Sequence, residues 1–328
     1  MNSSVPINNT VIQTNSVIIW IENVTFTVEG ILQTFGNLLL LLAFVKSKKF
    51  AKKEYILPMG LAVADFILGL NQLFSGLVRS VLMNAGQLLN EATLTDCLMR
   101  PMIHFTILGA FAVPLMLILI SLDRLLACAS IRLYAAFSIE KWQAAIIGSY
   151  ILCIVFYLIC IFAMIKFPVP GIQMPCCSFG LVAPPVINQI FWSYQFVLGL
   201  LSVAIYLAAV VAVRRQARLN LPELLAVQLA RQAKITKTLS WVIGFTVIFY
   251  IIPLGLICSI MYGIIPHGSF LFTYGQFYWV LINLNSGNNI FIYVLKSPEI
   301  RKSLKSLFLY KTKNTVNATS VAYQHTLF

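Results

Sequence analysis

The chain has 328 residues, of which 59% are hydrophobic and only 10% are charged. A soluble domain carries about a quarter charged residues, so the composition excludes an ordinary soluble protein and favours an integral membrane protein. The formal net charge of +13 lies mostly on short segments between apolar runs, and therefore does not indicate a nucleic-acid-binding protein.

Seven apolar segments are long enough to cross a hydrocarbon core about 30 Å thick as α-helices. They cover residues 26–45, 55–82, 98–124, 142–165, 187–213, 238–265 and 270–294. The predicted fold class is all-α, an integral membrane bundle of seven transmembrane helices. The domains would be an extracellular tail at 1–25, a seven-helix transmembrane bundle at 26–295 and a cytoplasmic helix and tail at 296–328.

The basic residues predict how the bundle is oriented. Of the 23 lysines and arginines, 20 fall on one side of the seven spans, and Arg79, Arg100 and Lys166 fall on the other. Cytoplasmic loops carry such an excess, so we expect the N-terminus outside and the C-terminus inside the plasma membrane. The N-terminal tail also holds three glycosylation sequons, at Asn2, Asn8 and Asn23, as an extracellular segment would.

Two cytosolic segments have helical patterns without being long enough to span. Residues 220–231 begin with a cap, a proline and a glutamate, which is typical of a helix start. After the seventh span, Ile300, Leu304, Leu307 and Phe308 recur at helical spacing among basic residues. This second pattern predicts an amphipathic helix on the inner leaflet of the membrane.

Polar residues inside the spans are expected to face protein or water, because a charge at mid-bilayer costs about 2.5–3.5 kcal/mol. Asp65 lies in the second span, and its candidate partners are Asn37, Asn285, Ser286, Asn288 and Asn289. Interhelical hydrogen bonding alone is the alternative explanation for such a cluster. Pro58, Pro114 and Pro253 are expected to kink their helices.

The third span ends with Asp123 and Arg124, an adjacent acid and base. These charges could reach the headgroups as ordinary flanking residues, or they could form a buried ion pair that holds one end of the bundle closed.

Three cysteines, Cys97, Cys176 and Cys177, lie on the predicted extracellular side, where disulfides form. Cys97 could pair with either Cys176 or Cys177, and the sequence does not decide between them. Either bond would tether the loop after the fourth span over the mouth of the bundle.

Residues 25–310 resemble the rhodopsin-like (class A) G-protein-coupled receptors, and within them the divergent nematode chemosensory serpentine receptors. The residues that carry the resemblance follow the family's order along the spans: Gly36-Asn37, Leu61 to Asp65, Asp123-Arg124-Leu125, Pro253, and Asn285 to Tyr293. The resemblance implies a heterotrimeric G-protein as partner and an extracellular ligand.

The resemblance also implies roles for individual residues. Asp123 would hold Arg124 in the inactive state, and Tyr206 and Tyr293 would close around Arg124 when it meets the G-protein. Asp65, with Asn289, would hold a sodium ion, and no other cofactor or metal is implied. The chain departs from the family where Ile290 replaces a proline and where Val113 replaces a frequent serine sodium ligand.

A ligand site between the helices near the outer face is the default for such a bundle. Thr106 stands where amine receptors of the family carry an aspartate, so a cationic amine is disfavoured as ligand. Arg100 and His104, one turn apart, could receive an anion or a carbonyl group. The candidate lining residues are Arg100, His104, Thr106, Ile107, Trp192, Gln195, Tyr250, Gln276, Trp279 and Asn283.

These patterns predict a receptor for a small, largely apolar chemical that activates a G-protein through a shift between two bundle packings. A peptide receptor of the same fold is the alternative, although the outer loops are short and nearly neutral. A transporter or channel would need a continuous polar path or inverted repeats, and neither is evident. An enzyme is not expected, because His104, His267 and His325 are scattered and form no metal-ligand or nucleophile–base spacing.

Overall fold

A computed structural model describes residues 9–46, 53–87, 92–169, 177–216, 240–266, 269, 271, 277–296, 298 and 300–307. The described chain is dominated by helices, which we number in chain order: α1 (Asn9–Lys46), α2 (Lys53–Asn84), α3 (Leu94–Leu98), α4 (Pro101–Ala129), α5 (Ile131–Ala136), α6 (Ile139–Lys166), α7 (Phe179–Val182), α8 (Pro185–Gln216), α9 (Ser240–Met261), α10 (Phe277–Lys296) and α11 (residues 300–307).

The predicted class, an all-α membrane bundle, is confirmed. Among the described residues, six helices (α1, α2, α4, α6, α8 and α9) are long and apolar enough to cross a membrane. The seventh long helix, α10, packs against α1, α2 and α9. Its 20 described residues include four asparagines, which lower its hydropathy.

Helix α1 begins much earlier than predicted. We expected the first span to start at Phe26 after an extracellular tail, but the helix begins at Asn9, and the segment Ile19–Lys46 within it is long and apolar enough to cross a membrane. The polar residues before Phe26 do not end the helix, because neither glycine nor proline interrupts residues 9–25.

Helix α4 is the centre of the bundle, because it packs against α2, α6 and α8. Phe111 illustrates this position: its ring stacks on Phe156 of α6 at 4.9 Å and meets Tyr194 of α8 at 4.8 Å, measured between ring centroids. By contrast, many large apolar side chains of α6 and α8 are exposed, as expected for helix faces that meet lipid.

The prolines act differently along the chain. Pro58 and Pro114 lie inside α2 and α4, which continue through them. Before Pro253, α9 widens into a π-helical turn at Val247–Ile251, closed by the Ile252 N–H donating to the Val247 carbonyl. Since proline cannot donate an N–H, this wider turn redistributes the backbone hydrogen bonds next to it.

Glycines bring the backbones of α1 and α2 into direct contact. A Cβ atom at Gly30 would lie 2.2 Å from the Leu73 backbone nitrogen, and one at Gly76 would lie 2.6 Å from the Thr27 nitrogen. A Cβ at Gly69 would lie 2.8 Å from the Thr34 nitrogen. Small residues permit such close helix packing inside membranes.

The disulfide joins Cys97 to Cys177, which resolves the choice left open by the sequence. Cys176 lies outside the described residues. The bond connects α3, the short helix that precedes α4, to the segment before α7 (Phe179–Val182). We call this the disulfide end of the bundle, and the opposite end, where α4 carries Arg124, the Arg124 end.

At the Arg124 end, the described part of the last helix agrees with an amphipathic pattern. Ile300 is buried against Leu40, Phe44 and Ala62, while Arg301, Lys302 and Lys305 are exposed. The other predicted cytosolic helix, at residues 220–231, lies outside the described residues.

The glycine contacts predict that Gly30→Ala destabilises the bundle, because the added methyl group would meet backbone atoms that cannot rotate away. We expect a loss of about 1–3 kcal/mol or more, visible as a lower melting temperature of the purified protein. Gly148→Ala is the matched control, because a Cβ there meets nothing within 4 Å. Equal melting temperatures for the two variants would contradict the close contact.

The disulfide predicts different effects for adjacent cysteines. Cys177→Ser should lower stability by about 2–5 kcal/mol, since it removes a native cross-link. Cys176→Ser should leave the bond and the melting temperature unchanged. Thiol labelling under non-reducing conditions checks the pairing: Cys97 should become reactive in the first variant and stay protected in the second.

Candidate functional site

The interior of the bundle contains polar side chains on α1, α2, α4 and α10. The polar residues of these helices face other helices rather than lipid, because lipid offers no hydrogen-bond partner. The polar residues form three groups along the bundle: an ion pair at the Arg124 end, a carboxylate–amide group near the middle, and a set of aromatic and polar residues towards the disulfide end.

Asp123 and Arg124 form a buried ion pair near the end of α4. The Arg124 Nε donates to the Asp123 Oδ2 at 2.9 Å, and its Nη2 contacts the same oxygen. The two residues are only 3% and 2% exposed, so they do not point at lipid or headgroups. Of the two explanations offered by the sequence, this geometry supports the buried pair.

Lys53 and Tyr134 lie close to the ion pair, a feature that sequence reasoning missed. The Lys53 Nζ donates to the Tyr134 carbonyl and lies 3.5 Å from the centroid of the Tyr134 ring. Burial lowers the pKa of Lys53, and the charge of Arg124 lowers this pKa further while Asp123 raises it. The charge of Lys53 therefore interacts with both members of the pair. No short sequence motif around Lys53 indicates this interaction.

Tyr206 is buried at the same end of the bundle and connects α8 with α9. Its hydroxyl lies 3.1 Å from the Ser240 Oγ. The backbone of Tyr293 lies in α10, but its side chain is outside the described set. The predicted closing of both tyrosines around Arg124 therefore stays a prediction.

Asp65 is fully buried near the middle of the bundle. Its Oδ2 accepts a hydrogen bond from the Asn289 Nδ2 at 2.9 Å, which joins α2 to α10. Ser286 also faces the carboxylate. Among the described residues, the Oδ1 atoms of Asp65, Asn37 and Asn285 have no hydrogen-bond partner. The structure thus brings Asp65 together with Asn289 and Ser286, as the sequence suggested. The unbonded amide oxygens of Asn37 and Asn285 are possible ligands for a cation.

The predicted pocket residues divide into those that meet and those that do not. Trp192 of α8 and Trp279 of α10 are in edge-to-face contact, with ring centroids 4.7 Å apart. Tyr250 is buried against α8, since a Cβ at Gly199 would lie 3.3 Å from its ring. Ile107 and Gln195 are also buried, and Gln276 lies outside the described residues.

The predicted anion site at Arg100 and His104 is not supported. The His104 Nε2 is bonded to the Leu98 carbonyl at 2.8 Å, and its Nδ1 to the Tyr157 hydroxyl at 3.0 Å. Both ring nitrogens are therefore engaged in holding α4 to its neighbours. Arg100 lies at the helix start, close enough to Asp96 for their charges to interact.

Two further predicted residues have different surroundings from those expected. The Thr106 hydroxyl donates to Asn71 Oδ1 and lies 2.7 Å from the Met102 carbonyl, so it links α4 to α2. Asn23 is 1% exposed inside α1, and its Nδ2 contacts the Met83 sulfur. A glycan does not fit at such a buried amide, so the prediction for Asn23 is wrong in this structure. Asn2 and Asn8 lie outside the described residues.

Sequence reasoning also missed two residues on the buried side of α1, Glu29 and Gln33. They are 6% and 1% exposed. The available signal was helical spacing, because Glu29 lies seven residues after Glu22 and Gln33 lies four residues before Asn37. Glu22 and Asn37 are buried on the same helix.

The fold and its polar interior define a multi-pass membrane protein built as a helical bundle. Residues 30–308 match the family described as serpentine type 7TM GPCR chemoreceptor Srsx. This match covers most of the chain, so the chain belongs to that chemoreceptor family. No curated protein matches the chain in a direct comparison. The family is one of receptors rather than enzymes, and it agrees with the resemblance seen in the sequence.

Proposed function

We propose that the protein is a plasma-membrane receptor that detects an extracellular small molecule and activates a heterotrimeric G-protein. The disulfide end faces outward, and the Arg124 end faces the cytoplasm, in line with the distribution of basic residues. The observation that carries the proposal is the buried ion pair of Asp123 and Arg124, because it places a guanidinium where a cytoplasmic partner could meet it once released.

The mechanism follows from the cost of exposing this pair. Arg124 stays buried as long as Asp123 neutralises it, because an unpaired buried charge is unfavourable by several kcal/mol. A ligand that binds better to an opened packing shifts the population towards it. In that packing Arg124 would exchange Asp123 for groups of the G-protein. The Tyr206–Ser240 contact between α8 and α9 would have to adjust in the same step.

We also propose that a sodium ion stabilises the closed packing at Asp65. The free carboxylate oxygen of Asp65 and the amide oxygens of Asn37 and Asn285 would hold it, since hard cations prefer oxygen ligands. The ion would supply positive charge that ties α2 to α1 and α10. Val113 is buried and apolar, so α4 offers no oxygen from that position.

The ion pair is tested by changing each partner separately. Arg124→Ala should abolish G-protein activation in cells, whereas Asp123→Asn should raise basal activation several-fold because it weakens the closed packing. An exposed arginine, changed in Arg301→Ala, is the control and should signal normally. Surface labelling of an N-terminal tag on intact cells measures both expression and orientation.

Arg124→Ala leaves Asp123 buried without its counter-charge, which lowers the stability of the folded protein by about 3–5 kcal/mol. The double variant Asp123→Asn/Arg124→Gln removes both charges and should reach the surface without signalling. Normal signalling by either Arg124 variant would refute the mechanism.

The sodium site is tested by the melting temperature of the purified protein. Replacing KCl with NaCl at equal ionic strength should raise it, because an ion that binds the folded state stabilises that state. Asp65→Asn should remove this difference. If the Asp65→Asn variant still responds to sodium as the wild type does, the ion does not bind at Asp65.

A further inference from the structure

The inward face of α1 is polar along most of its length. Its buried residues recur every three or four positions and include Glu22, Glu29, Gln33 and Asn37, whereas the intervening apolar residues are exposed. A helix with its polar side turned inward contributes hydrogen-bonding groups to the bundle interior. Towards the disulfide end, this face meets α2 and α10.

Glu29 is the acid at the centre of this face. It is 6% exposed, and its Oε2 has no hydrogen-bond partner among the described residues. Arg79 of α2 does not neutralise it, because the Arg79 Nη1 is bound to Glu22 Oε1 at 2.9 Å and its guanidinium lies over the Phe26 ring. Glu22 is two helical turns, about 10 Å, further along α1. Glu29 is thus a buried carboxylate without a basic partner in the described structure.

Two more acceptors belong to residues one turn further along, Gln33 on the same face of α1 and Asn283 on α10. One turn along the same face, the Gln33 Nε2 donates to the Asn283 carbonyl of α10 at 2.5 Å. The Asn283 Nδ2 in turn donates to the Trp279 carbonyl at 2.6 Å. Each amide nitrogen therefore already makes a hydrogen bond within the bundle, while Gln33 Oε1 and Asn283 Oδ1 have no donor among the described residues.

The three unsatisfied oxygens can accept hydrogen bonds from a donor group, and the Glu29 carboxylate can also pair with a positive charge. Leaving buried acceptors unpaired costs about 1–3 kcal/mol each, and the carboxylate also lacks a counter-charge. A protonated primary amine supplies three N–H donors and one positive charge. An additional carboxylate or a carbonyl would supply none of these.

Aromatic surface lies at the same level of the bundle. Glu29 and Trp279 each stand four residues before the bonded pair, Gln33 and Asn283. Since the first and seventh helices of an alternating bundle run in the same direction, Glu29 and Trp279 lie one turn towards the disulfide end on facing helices. Trp279, which also contacts Trp192, can pack against an apolar group and attract a cation to its ring face.

We propose that the polar inner face of α1, where it meets α10, binds the ammonium group of a small amine ligand, with Glu29 as counter-ion and Gln33 and Asn283 as acceptors. The inference rests on the proposed receptor function and specifies its ligand class. It replaces the expectation that an amine is disfavoured, which rested on Thr106 and on the lack of acids in the outer halves of spans three, five, six and seven, and left out the first span. That hydroxyl is engaged with Asn71, and the counter-charge comes from the first span instead.

The test uses the full-length protein purified into lipid nanodiscs, with phenethylamine and octylamine as probes. Their matched neutral analogues are 2-phenylethanol and 1-octanol. At least one amine should raise the melting temperature, and its alcohol should raise it much less. Glu29→Gln keeps the shape of the side chain but removes the charge, and should weaken the apparent affinity for the amine at least tenfold.

Gln33→Met is a second variant, which keeps the volume and removes an acceptor, and it should weaken binding several-fold. Asp96→Asn removes an exposed acid at the disulfide end and is the control that should bind normally. No stabilisation by either amine, equal stabilisation by the alcohols, or unchanged binding by Glu29→Gln would overturn the proposal. The proposal would also be overturned if NaCl raises the melting temperature of the wild type and Glu29→Gln, but not Asp65→Asn, abolishes this rise. That result would indicate a metal-ion site at Glu29.

Binding in nanodiscs needs no G-protein, so the two proposals fail separately. Amine binding without any signalling in cells would contradict the proposed receptor mechanism and leave the amine site standing. Signalling that depends on Arg124 while amines fail to bind would do the reverse.

Discussion

The structure depends on one property of the bilayer: its hydrocarbon interior offers no partner for a polar group. Every buried polar side chain of α1, α2, α4 and α10 must therefore face another helix, and this requirement fixes how each helix is rotated. The hydrogen bond between Asp65 and Asn289 and that between Gln33 and Asn283 are direct results. Apolar packing alone would specify these rotations only weakly, because an apolar side chain is about equally favourable against lipid tails and against another helix.

The same constraint explains why the ion pair of Asp123 and Arg124 matters beyond stability. Buried pairs are only weakly stabilising compared with apolar packing, since both charges lose their hydration. Breaking one by removing a partner is costly, however, so the pair makes the closed packing distinct from any packing that exposes Arg124. This difference gives a receptor two separate states, rather than a continuous range of intermediate ones.

The sequence predicted the fold class, because the hydropathy of its segments and the few charges inside them report on burial. It placed Asp65 with Asn289, and Asp123 with Arg124. It did not choose between Cys176 and Cys177, since adjacent cysteines are equivalent in composition and only the path of the loop separates them. It also assigned Asn23 to an outer tail, because the polar start of α1 reads as irregular when the neighbouring helices are unknown.

The interpretation of the outer pocket was less accurate for a related reason. His104 and Thr106 were considered as ligand contacts from their positions along α4, but their hydrogen bonds go to neighbouring elements of the protein. Glu29 and Gln33 were not selected at all, although both face the interior. Which side of a helix is buried depends on its neighbours, and a single sequence carries this information only through periodicity.

The glycine contacts between α1 and α2 have a consequence for how the molecule deforms. The backbones of α1 and α2 are in contact at Gly30, Gly69 and Gly76. Sliding one helix along the other would therefore produce steric clashes between peptide groups over several turns. The first two helices therefore behave as a rigid frame. Helices α8 and α9 meet through side chains, and α9 contains the π-helical turn, so we expect bending to occur there rather than between α1 and α2. A ligand bound against α1 and α2 therefore changes the Arg124 end of the bundle only if α8 and α9 bend.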